Sequence, residues 1–167
     1  NHDPEEQPNF TIEVADIYGH LIDTVCGYYY VYAHQGMPTW HSCGVVVWKD
    51  WTTVGIDLTQ YIGQTISIKF TTRDCSQTGH FGYAYLSAYC SKVQLTFGFC
   101  PDDTIAIVTA PPGFSYLWAN GDTTQSTTIY NPVIGRIDSC VLTSVNGCKV
   151  TVTGTFQPTL INADFGY

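Results

Sequence analysis

Apolar and polar residues alternate with period two along nearly the whole chain, in short segments rich in Val, Ile, Thr, Tyr and Phe. Gly, Pro, Asn and Asp interrupt these segments at short intervals, and no stretch of about ten residues has helical periodicity. The pattern predicts an all-β protein, and many short strands joined by turns are typical of sandwiches and barrels. The predicted strands are 10–15, 28–33, 44–48, 53–58, 65–72, 81–89, 93–97, 104–109, 115–118, 127–130, 138–145 and 149–156.

The composition changes near residues 90–100, where an aromatic-rich part gives way to a Thr-rich part with evenly spaced strands. Because 167 residues suffice for one large or two small domains, this change predicts two β-sandwiches in tandem. We expect the first domain at residues 1–92 and the second at 93–160. Residues 161–167 are then a linker, or the first or donated strand of a neighbouring module.

Asn146 and Gly147 predict a tight turn in the second domain. Both residues adopt positive φ easily, as a two-residue type I′ hairpin requires. In that hairpin Cys148 faces Val145, and Cys140 lies about five rows away, roughly 16 Å, on the opposite face of the ribbon. We therefore expect no bond between Cys140 and Cys148.

Charged residues are scarce, at 12% of the chain, and the formal net charge is −8 with only six Lys and Arg. The basic residues are scattered along the sequence, so they form no stripe that could neutralise phosphates. Nucleic acid and anionic membrane surfaces are therefore excluded as partners. No run of about 18 apolar residues predicts a membrane span, so membrane insertion is not expected.

Seven cysteines are spread along the chain without a CxxC pair and without the His spacing of a zinc site. This pattern is typical of disulfides, which persist in oxidising compartments. The sequence thus predicts an extracellular or cell-surface location. Because seven is an odd number, one thiol stays unpaired or bonds outside this chain.

Motifs of catalysis are missing from the sequence, which has no G-x-S-x-G elbow, H-E-x-x-H pair or phosphate loop. We therefore expect no enzyme activity, no cofactor and no metal. Calcium is the alternative, because carboxylates supply the oxygen ligands that it prefers. The absence of a D-x-[DN]-x-[DN]-G loop favours turn roles for the candidate carboxylates instead. The candidates are Asp50, Asp57, Asp102 and Asp103.

Aromatic residues are abundant in the first part and could form a platform that stacks on sugars, because aromatic faces pack on the apolar faces of pyranose rings. The candidates are Trp40, Trp48, Trp51, Tyr28, Tyr29, Tyr30 and Tyr32. Strand alternation places Tyr28, Tyr30 and Tyr32 on one face and Tyr29 on the other, so one of these two sets belongs to the core. Trp118, in the second part, is expected in the core of its sandwich.

Residues 70–90, FTTRDCSQTGHFGYAYLSAYC, together with DPEEQPNFTIEVADIYGHLID and WKDWTTVGIDLTQYIGQTISI upstream, resemble a jelly-roll-like module of large Bacteroidota surface and gliding-type adhesins. The resemblance covers most of residues 1–92. The chain departs from the family at Thr78 before Gly79, where a second Gly is usual, and at Ser87, where an Asp is usual. Strands that usually precede DPEEQP are missing, which implies a first module that is incomplete at its N-terminus.

Residues 100–158, from CPDDTIAIVTAPPGFSYLWANGDTTQ to DSCVLTSVNGC and beyond, resemble the Ig-like or PKD-like module that follows in such arrays. The resemblance implies a non-enzymatic extracellular structural or adhesive module, or the repeating subunit of a surface fibre. Its partners are then copies of itself or neighbouring modules. The alternative is a carbohydrate-binding module of a secreted multidomain protein, with glycans as partners, and a secreted glycosidase or protease fragment is a third, weaker interpretation.

The densest constellation of the first module is Asp74, His80, Tyr83 and Tyr85, which predicts either a ligand site or a structural turn. A lone His with one carboxylate provides too few ligands for zinc, which favours the turn.

Three disulfide assignments follow. The motif implies a bond between Cys75 and Cys90, and elimination within the first module pairs Cys26 with Cys43. Cys100 pairs with Cys140 or Cys148. Ig-like geometry favours Cys140, whereas two-cysteine relatives of the module favour Cys148, which we adopt, leaving Cys140 unpaired.

Two further expectations concern the surface and the C-terminal end. Thr24, Thr104 and Thr123 each follow Asp in a short pattern that resembles bacterial O-glycosylation sites, so at least one is expected to carry sugar. The closing NADFGY resembles the first strand of another module. Phe165 and Tyr167, two residues apart, would point to one face and complete the sandwich of the next subunit, giving a head-to-tail fibre.

Overall fold

The structure, a computed structural model, describes residues 3–34, 36–77, 79–100 and 102–157. Strands and turns make up nearly all of it, with two 3₁₀ turns at Pro4–Glu6 and Thr59–Tyr61, and every strand pairing is antiparallel. The predicted all-β class is confirmed. The strands are β1 Asn9–Ala15, β2 Tyr28–Tyr32, β3 Trp40–Cys43, β4 Val46–Lys49, β5 Ser67–Arg73, β6 Thr96–Gly98, β7 Ile105–Thr109, β8 Ser115–Trp118, β9 Ser126–Tyr130, β10 Ile137–Thr143 and β11 Lys149–Thr155.

Two predicted strands, at 53–58 and 81–89, are wrong, and β3 was not predicted. Residues 53–58 and 81–89 have strand-like composition, but neither segment aligns with a partner strand. A strand is stabilised by cross-strand neighbours and by burial, so propensity alone does not produce one.

The chain divides into two compact units. Unit 1 contains residues 3–91 of the described chain together with Val145–Cys148, and unit 2 contains the described residues from Lys92 to Ser144 and from Lys149 onward. The division after Ser91 differs by one residue from the predicted domain boundary. The segment Val145–Cys148, which we expected in the second domain, groups with unit 1.

Unit 1 contains a three-stranded sheet of order β2-β1-β5 and the separate hairpin β3-β4. One face of the sheet is mostly apolar, because Phe10, Ile12 and Val14 alternate along β1. Their partners on the neighbouring strands are Val31, Tyr29, Thr72, Phe70 and Ile68. Val14 is fully buried on this face, and Tyr29 of β2 is buried. Tyr29 therefore belongs to the core, while Tyr28, Tyr30 and Tyr32 lie on the other face.

Gly27 allows close packing behind β1. A Cβ atom at this position would lie 3.1 Å from the Cβ of Val14 and from the carbonyl oxygen of Asp23, and 3.2 Å from the hydroxyl of Tyr61. These neighbours include backbone and fully packed atoms, so a larger residue at position 27 would force them apart.

Unit 2 is a β-sandwich of two three-stranded sheets, with orders β6-β7-β9 and β11-β10-β8. Alternate residues of each sheet point inward, as the buried–exposed alternation of β7, β9 and β10 shows. The core that joins the two sheets consists of Leu95, Phe99, Ala106, Val108, Ala110, Trp118, Ile129, Cys140, Leu142, Val152 and Phe156. The predicted core position of Trp118 is confirmed.

A tight loop follows β8 and is fixed by the Asp122 carboxylate. The Trp118 ring NH donates to the Thr124 carbonyl at 2.8 Å. The amide and the hydroxyl of Thr124 both donate to one Asp122 carboxylate oxygen, at 3.0 and 2.9 Å. These donors, the Thr124 amide first, favour the ionised form and lower the pKa of Asp122 below its ordinary value.

We expect NMR titration to find the pKa of the Asp122 carboxyl group below 3.8. Because folding lowers the pKa of Asp122, its hydrogen bonds stabilise the folded state fully at pH values above the pKa of the unfolded chain. This stabilisation is lost as the pH falls through the pKa of the folded state. Replacing Thr124 with Val removes the hydroxyl donor but keeps the amide donor. The pKa of Asp122 should therefore rise part of the way toward its ordinary value. Thr128→Val, on β9, is the matched control and should leave it unchanged. An Asp122 pKa at or above 3.8 would contradict the hydrogen-bonding account.

The turn between β10 and β11 is not the predicted two-residue hairpin. Thr143 pairs with Lys149, so five residues connect the strands, and the register differs by one from the predicted one. A type I′ turn requires positive φ at both of its central residues. Gly147 has φ of +85°, but the φ of Asn146 is not positive. Cys148 is drawn out of the ladder because its sulfur bonds elsewhere.

The structure contains a disulfide between Cys26 and Cys148, with Cα atoms 5.0 Å apart. The predicted pairs Cys26–Cys43 and Cys100–Cys148 are therefore wrong. Cys43, Cys90 and Cys100 are exposed thiols, so the predicted Cys75–Cys90 bond is not formed either. Those assignments assumed that each module closes its own disulfides, whereas Val145–Cys148 folds with unit 1.

Cys140 lies outside the disulfide and is a buried thiol. Loss of solvation raises the pKa of this thiol, with a smaller contribution from Asp138. A neutral thiol in the core packs as a small apolar group and is a poor nucleophile.

Candidate functional site

The face of the unit 1 sheet opposite the apolar core consists of three rows of side chains. Each row has a tyrosine on β2, a polar residue on β1 and a polar or charged residue on β5. Side chains two apart on a strand share a face, so the rows follow directly from strand alternation and register. The rows are Tyr32, Asn9 and Arg73; Tyr30, Thr11 and Thr71; and Tyr28, Glu13 and Lys69.

A groove of about 530 Å³ lies on this face. The volume falls within the range of roughly 300–1,000 Å³ that is typical of small-ligand pockets. We call it the tyrosine groove. Its lining residues are Pro4, Glu5, Asn9, Thr11, Glu13, Tyr28, Tyr30, Thr71 and Arg73.

Tyr30 lines the tyrosine groove, and its ring contacts that of the neighbouring Tyr32 on β2. The rings of Tyr30 and Tyr32 have centroids 5.9 Å apart and planes inclined by 32°. The Tyr30 hydroxyl donates to the Pro4 carbonyl at 3.3 Å, which links β2 to the 3₁₀ turn at Pro4–Glu6. Partial burial raises the pKa of Tyr30, with smaller contributions from Tyr28, Glu5 and Tyr32.

Charges on this face of the sheet balance. Lys69 forms an ion pair with Glu13, with the ammonium nitrogen 3.1 Å from a carboxylate oxygen. Within the described residues, the Glu5 carboxylate and the Arg73 guanidinium make no ion pair and no side-chain hydrogen bond. The groove thus offers one unpaired acceptor group and one unpaired donor group of opposite charge.

The motif around Asp74 and His80 forms a turn after β5. An Asp74 carboxylate oxygen accepts the Gly82 amide at 2.9 Å, and the His80 carbonyl accepts the Cys75 amide at 3.3 Å. A Cβ at Gly82 would lie 2.8 Å from the Arg73 carbonyl oxygen and 2.9 Å from the Pro8 Cβ, so the turn needs glycine there. The backbone geometry of this constellation is that of a structural turn.

The same turn leads into an exposed aromatic segment, residues 81–89. Phe81, Tyr83, Tyr85 and Tyr89 are 85%, 77%, 80% and 72% exposed. The rings of Tyr83 and Tyr85 contact each other edge to face, with centroids 5.8 Å apart. Tyr83 and Tyr85, candidates from the sequence, therefore lie at the surface and outside the tyrosine groove.

The tryptophan candidates do not join the tyrosine groove. Trp40 and Trp48 belong to the β3-β4 hairpin, and Trp51 follows it and is exposed. Trp48 stacks on His41, with ring centroids 4.3 Å apart, and His41 approaches an Asp50 carboxylate oxygen at 2.9 Å.

The candidate calcium ligands Asp57 and Asp103 bond local backbone instead. Asp57 accepts the amide and the hydroxyl of Thr59, and Asp103 accepts the Cys100 amide. In the described part of the chain, no group of three or more His, Cys, Asp or Glu side chains could hold a metal ion.

Thr24, Thr104 and Thr123 are all exposed, and their glycosylation stays a prediction. The strand-donation candidates Phe165 and Tyr167 lie outside the described residues.

Sequence reasoning found the tyrosines of the groove but missed their polar partners, chiefly Glu5, Thr11 and Arg73. The available signal was the alternation of polar residues along strands 9–15 and 67–73, which marks one polar face on each strand. Recognising the shared face required the register, since β1 and β5 are more than 50 residues apart in sequence.

Comparison of the chain with protein-family models, with curated proteins and with solved structures found no match. The helical turns that the structure describes are far too short to cross a membrane. The disulfide is compatible with a secreted or extracellular protein.

Proposed function

We propose that the chain is a non-enzymatic extracellular module with a structural or adhesive role, which associates with further copies of itself in a surface array or fibre. The observation that supports the proposal is the exposed aromatic segment 81–89. Four large aromatic side chains there are more than 70% exposed. Exposed aromatic surface of this kind marks interaction sites, and Tyr is enriched among residues that dominate binding energy.

The chemistry of the segment suits a protein surface as its partner. Tyrosine presents an apolar ring and a hydroxyl that can bond to a partner, and it loses little side-chain entropy on binding. The edge strands β2 and β5 of the unit 1 sheet each pair only with β1 among the described strands. Backbone groups at these edges, apart from the Tyr28 carbonyl that accepts the Asn146 side-chain amide, remain available for a neighbouring chain.

Association should depend on Tyr83 and Tyr85. We expect the apparent mass of the chain in analytical ultracentrifugation to rise with concentration. The double variant Tyr83→Ser, Tyr85→Ser should associate at least about tenfold more weakly, because two interface anchors are lost. Both side chains are exposed, so folding should be retained.

Tyr130→Ser is the matched control, because Tyr130 is 70% exposed but lies on β9 of unit 2. This variant should associate like the unaltered chain, and electron microscopy should show the same assemblies. A chain that stays monomeric at high concentration, or a double variant that assembles normally, would refute the proposal.

A second candidate function, a carbohydrate-binding module of a secreted multidomain protein, is favoured by the tyrosine groove. The groove combines aromatic rings with unpaired polar groups on a hydrogen-bonded sheet. This function requires no association between copies.

A further inference from the structure

The structure leads us to infer that the tyrosine groove binds neutral oligosaccharides, a ligand class that rests on the second candidate function. Sugar recognition needs aromatic faces for the apolar side of a pyranose ring and polar groups for its hydroxyls. Tyr28 and Tyr30 supply the rings, and Thr11, Thr71 and Arg73 surround them within the same groove.

The polar groups of the groove match hydroxyls in particular, because hydroxyls both donate and accept hydrogen bonds. Arg73 provides only donors, the Glu5 carboxylate provides only acceptors, and Thr11 and Thr71 provide both. None of these four side chains makes a hydrogen bond to another described residue. A ligand would satisfy groups that otherwise face solvent.

The charge balance decides between neutral and ionic sugars. The Glu13–Lys69 pair cancels, and Glu5 and Arg73 contribute one charge of each sign. An anionic sugar would gain Arg73 but approach Glu5, in a chain whose formal net charge is −8. A neutral sugar uses both groups as hydrogen-bonding partners and meets no repulsion.

The repetition of the rows favours an elongated ligand. Tyr28, Tyr30 and Tyr32 occupy alternate positions of β2, and the ring centroids of Tyr30 and Tyr32 lie 5.9 Å apart. Each ring has its own polar partners on β1 and β5. A chain of several sugar units can therefore contact successive rows, whereas a monosaccharide contacts one row.

The test is isothermal titration calorimetry with linear hexasaccharides of glucose, mannose and N-acetylglucosamine, alongside oligomers of galacturonate as acidic probes. At least one neutral hexasaccharide should bind, and the acidic oligomers should bind at least about tenfold more weakly. Tyr30→Ala and Arg73→Gln should each weaken the neutral complex about tenfold or more. Tyr130→Ala, an exposed tyrosine of β9 in unit 2 and outside the groove, is the matched control and should bind normally.

Arg73 is exposed, so Arg73→Gln keeps the fold even if Tyr30→Ala perturbs the sheet. Stronger binding of acidic oligomers would overturn the ligand class but leave a carbohydrate-binding function standing. Binding of none of the probes would overturn both. Neutral binding that persists unchanged in Arg73→Gln and Tyr30→Ala would overturn the groove as the site.

Discussion

Replacing Phe156 with Ala is expected to lower the free energy of unfolding of unit 2 by about 3–5 kcal/mol, the usual cost of removing a buried phenyl ring. Phe156 has no exposed surface. Its ring centroid lies 4.7 Å from that of Phe97 and 5.6 Å from that of Phe99. The substitution removes these contacts and leaves a cavity in the centre of the sandwich.

The cavity should not collapse, because the backbone around Phe156 is fixed. The Phe156 amide donates to the Arg136 carbonyl at 2.8 Å, and its carbonyl accepts the Gly135 amide at 2.9 Å. A residue held on both sides cannot move inward to fill the space. The cost therefore includes a cavity contribution in addition to the lost transfer free energy of the ring.

Chemical denaturation followed by far-ultraviolet circular dichroism would measure the effect. Phe156→Leu should cost clearly less, because most of the volume is kept. Phe81→Ala is the exposed control, and since Phe81 is 85% exposed its cost should stay within about 0.5 kcal/mol. A cost below about 1 kcal/mol for Phe156→Ala would show that Phe156 is not a core residue.

The second large effect is expected from the Cys26–Cys148 disulfide. Its loss should lower the free energy of unfolding by about 2–5 kcal/mol, because a cross-link restricts the unfolded chain and the restriction grows with loop length. The bonded residues are separated by 122 positions, which makes the closed loop a long one.

Local hydrogen bonds hold both ends of this bond. An Asp23 carboxylate oxygen accepts the amides of Val25 and Cys26 at 2.7 and 2.9 Å, which lowers the pKa of Asp23 and fixes the Cys26 backbone. The Asn146 side-chain amide donates to the Tyr28 carbonyl. The two cysteines are therefore already positioned close together, and the native state should not distort to form the bond.

The measurement compares the double variant Cys26→Ser, Cys148→Ser with Cys43→Ser, an exposed thiol outside the disulfide. Only the double variant should unfold at lower temperature. Peptide mapping without reductant should recover the peptides of Cys26 and Cys148 joined together. Recovery of Cys26 joined to Cys43, or equal melting temperatures for the two variants, would contradict the assignment.

Much of the fold could be predicted from local pattern. The strand at Ser115–Trp118 was predicted with its observed bounds, and the strands at Ile105–Thr109 and Ser126–Tyr130 within one residue. Alternation in these strands reflects one buried face, which is a property of neighbouring residues in the chain. The same logic separated Tyr29 from Tyr28 and Tyr30.

Pairing and burial between distant segments could not be predicted in this way. Residues 81–89 have the composition of a strand, yet their side chains remain exposed because no strand aligns beside them. The hairpin at Asn146 and Gly147 had a strong turn signal, yet Cys148 bonds to Cys26 and shifts the register. The first segment lacks a long-range partner among the described strands, and at the second a long-range bond outweighs the local preference.

The sequence by itself determined the all-β class, most strand positions and which tyrosines of β2 share a face, because these depend on a two-residue period that neighbouring residues define. The tertiary structure decided which strands pair, which cysteines bond and which polar residues share the tyrosine groove. Those outcomes bring together β1, β2 and β5, or residues 26 and 148, across long stretches of chain. They depend on the free energy of the assembled sheet and core, which no local pattern contains.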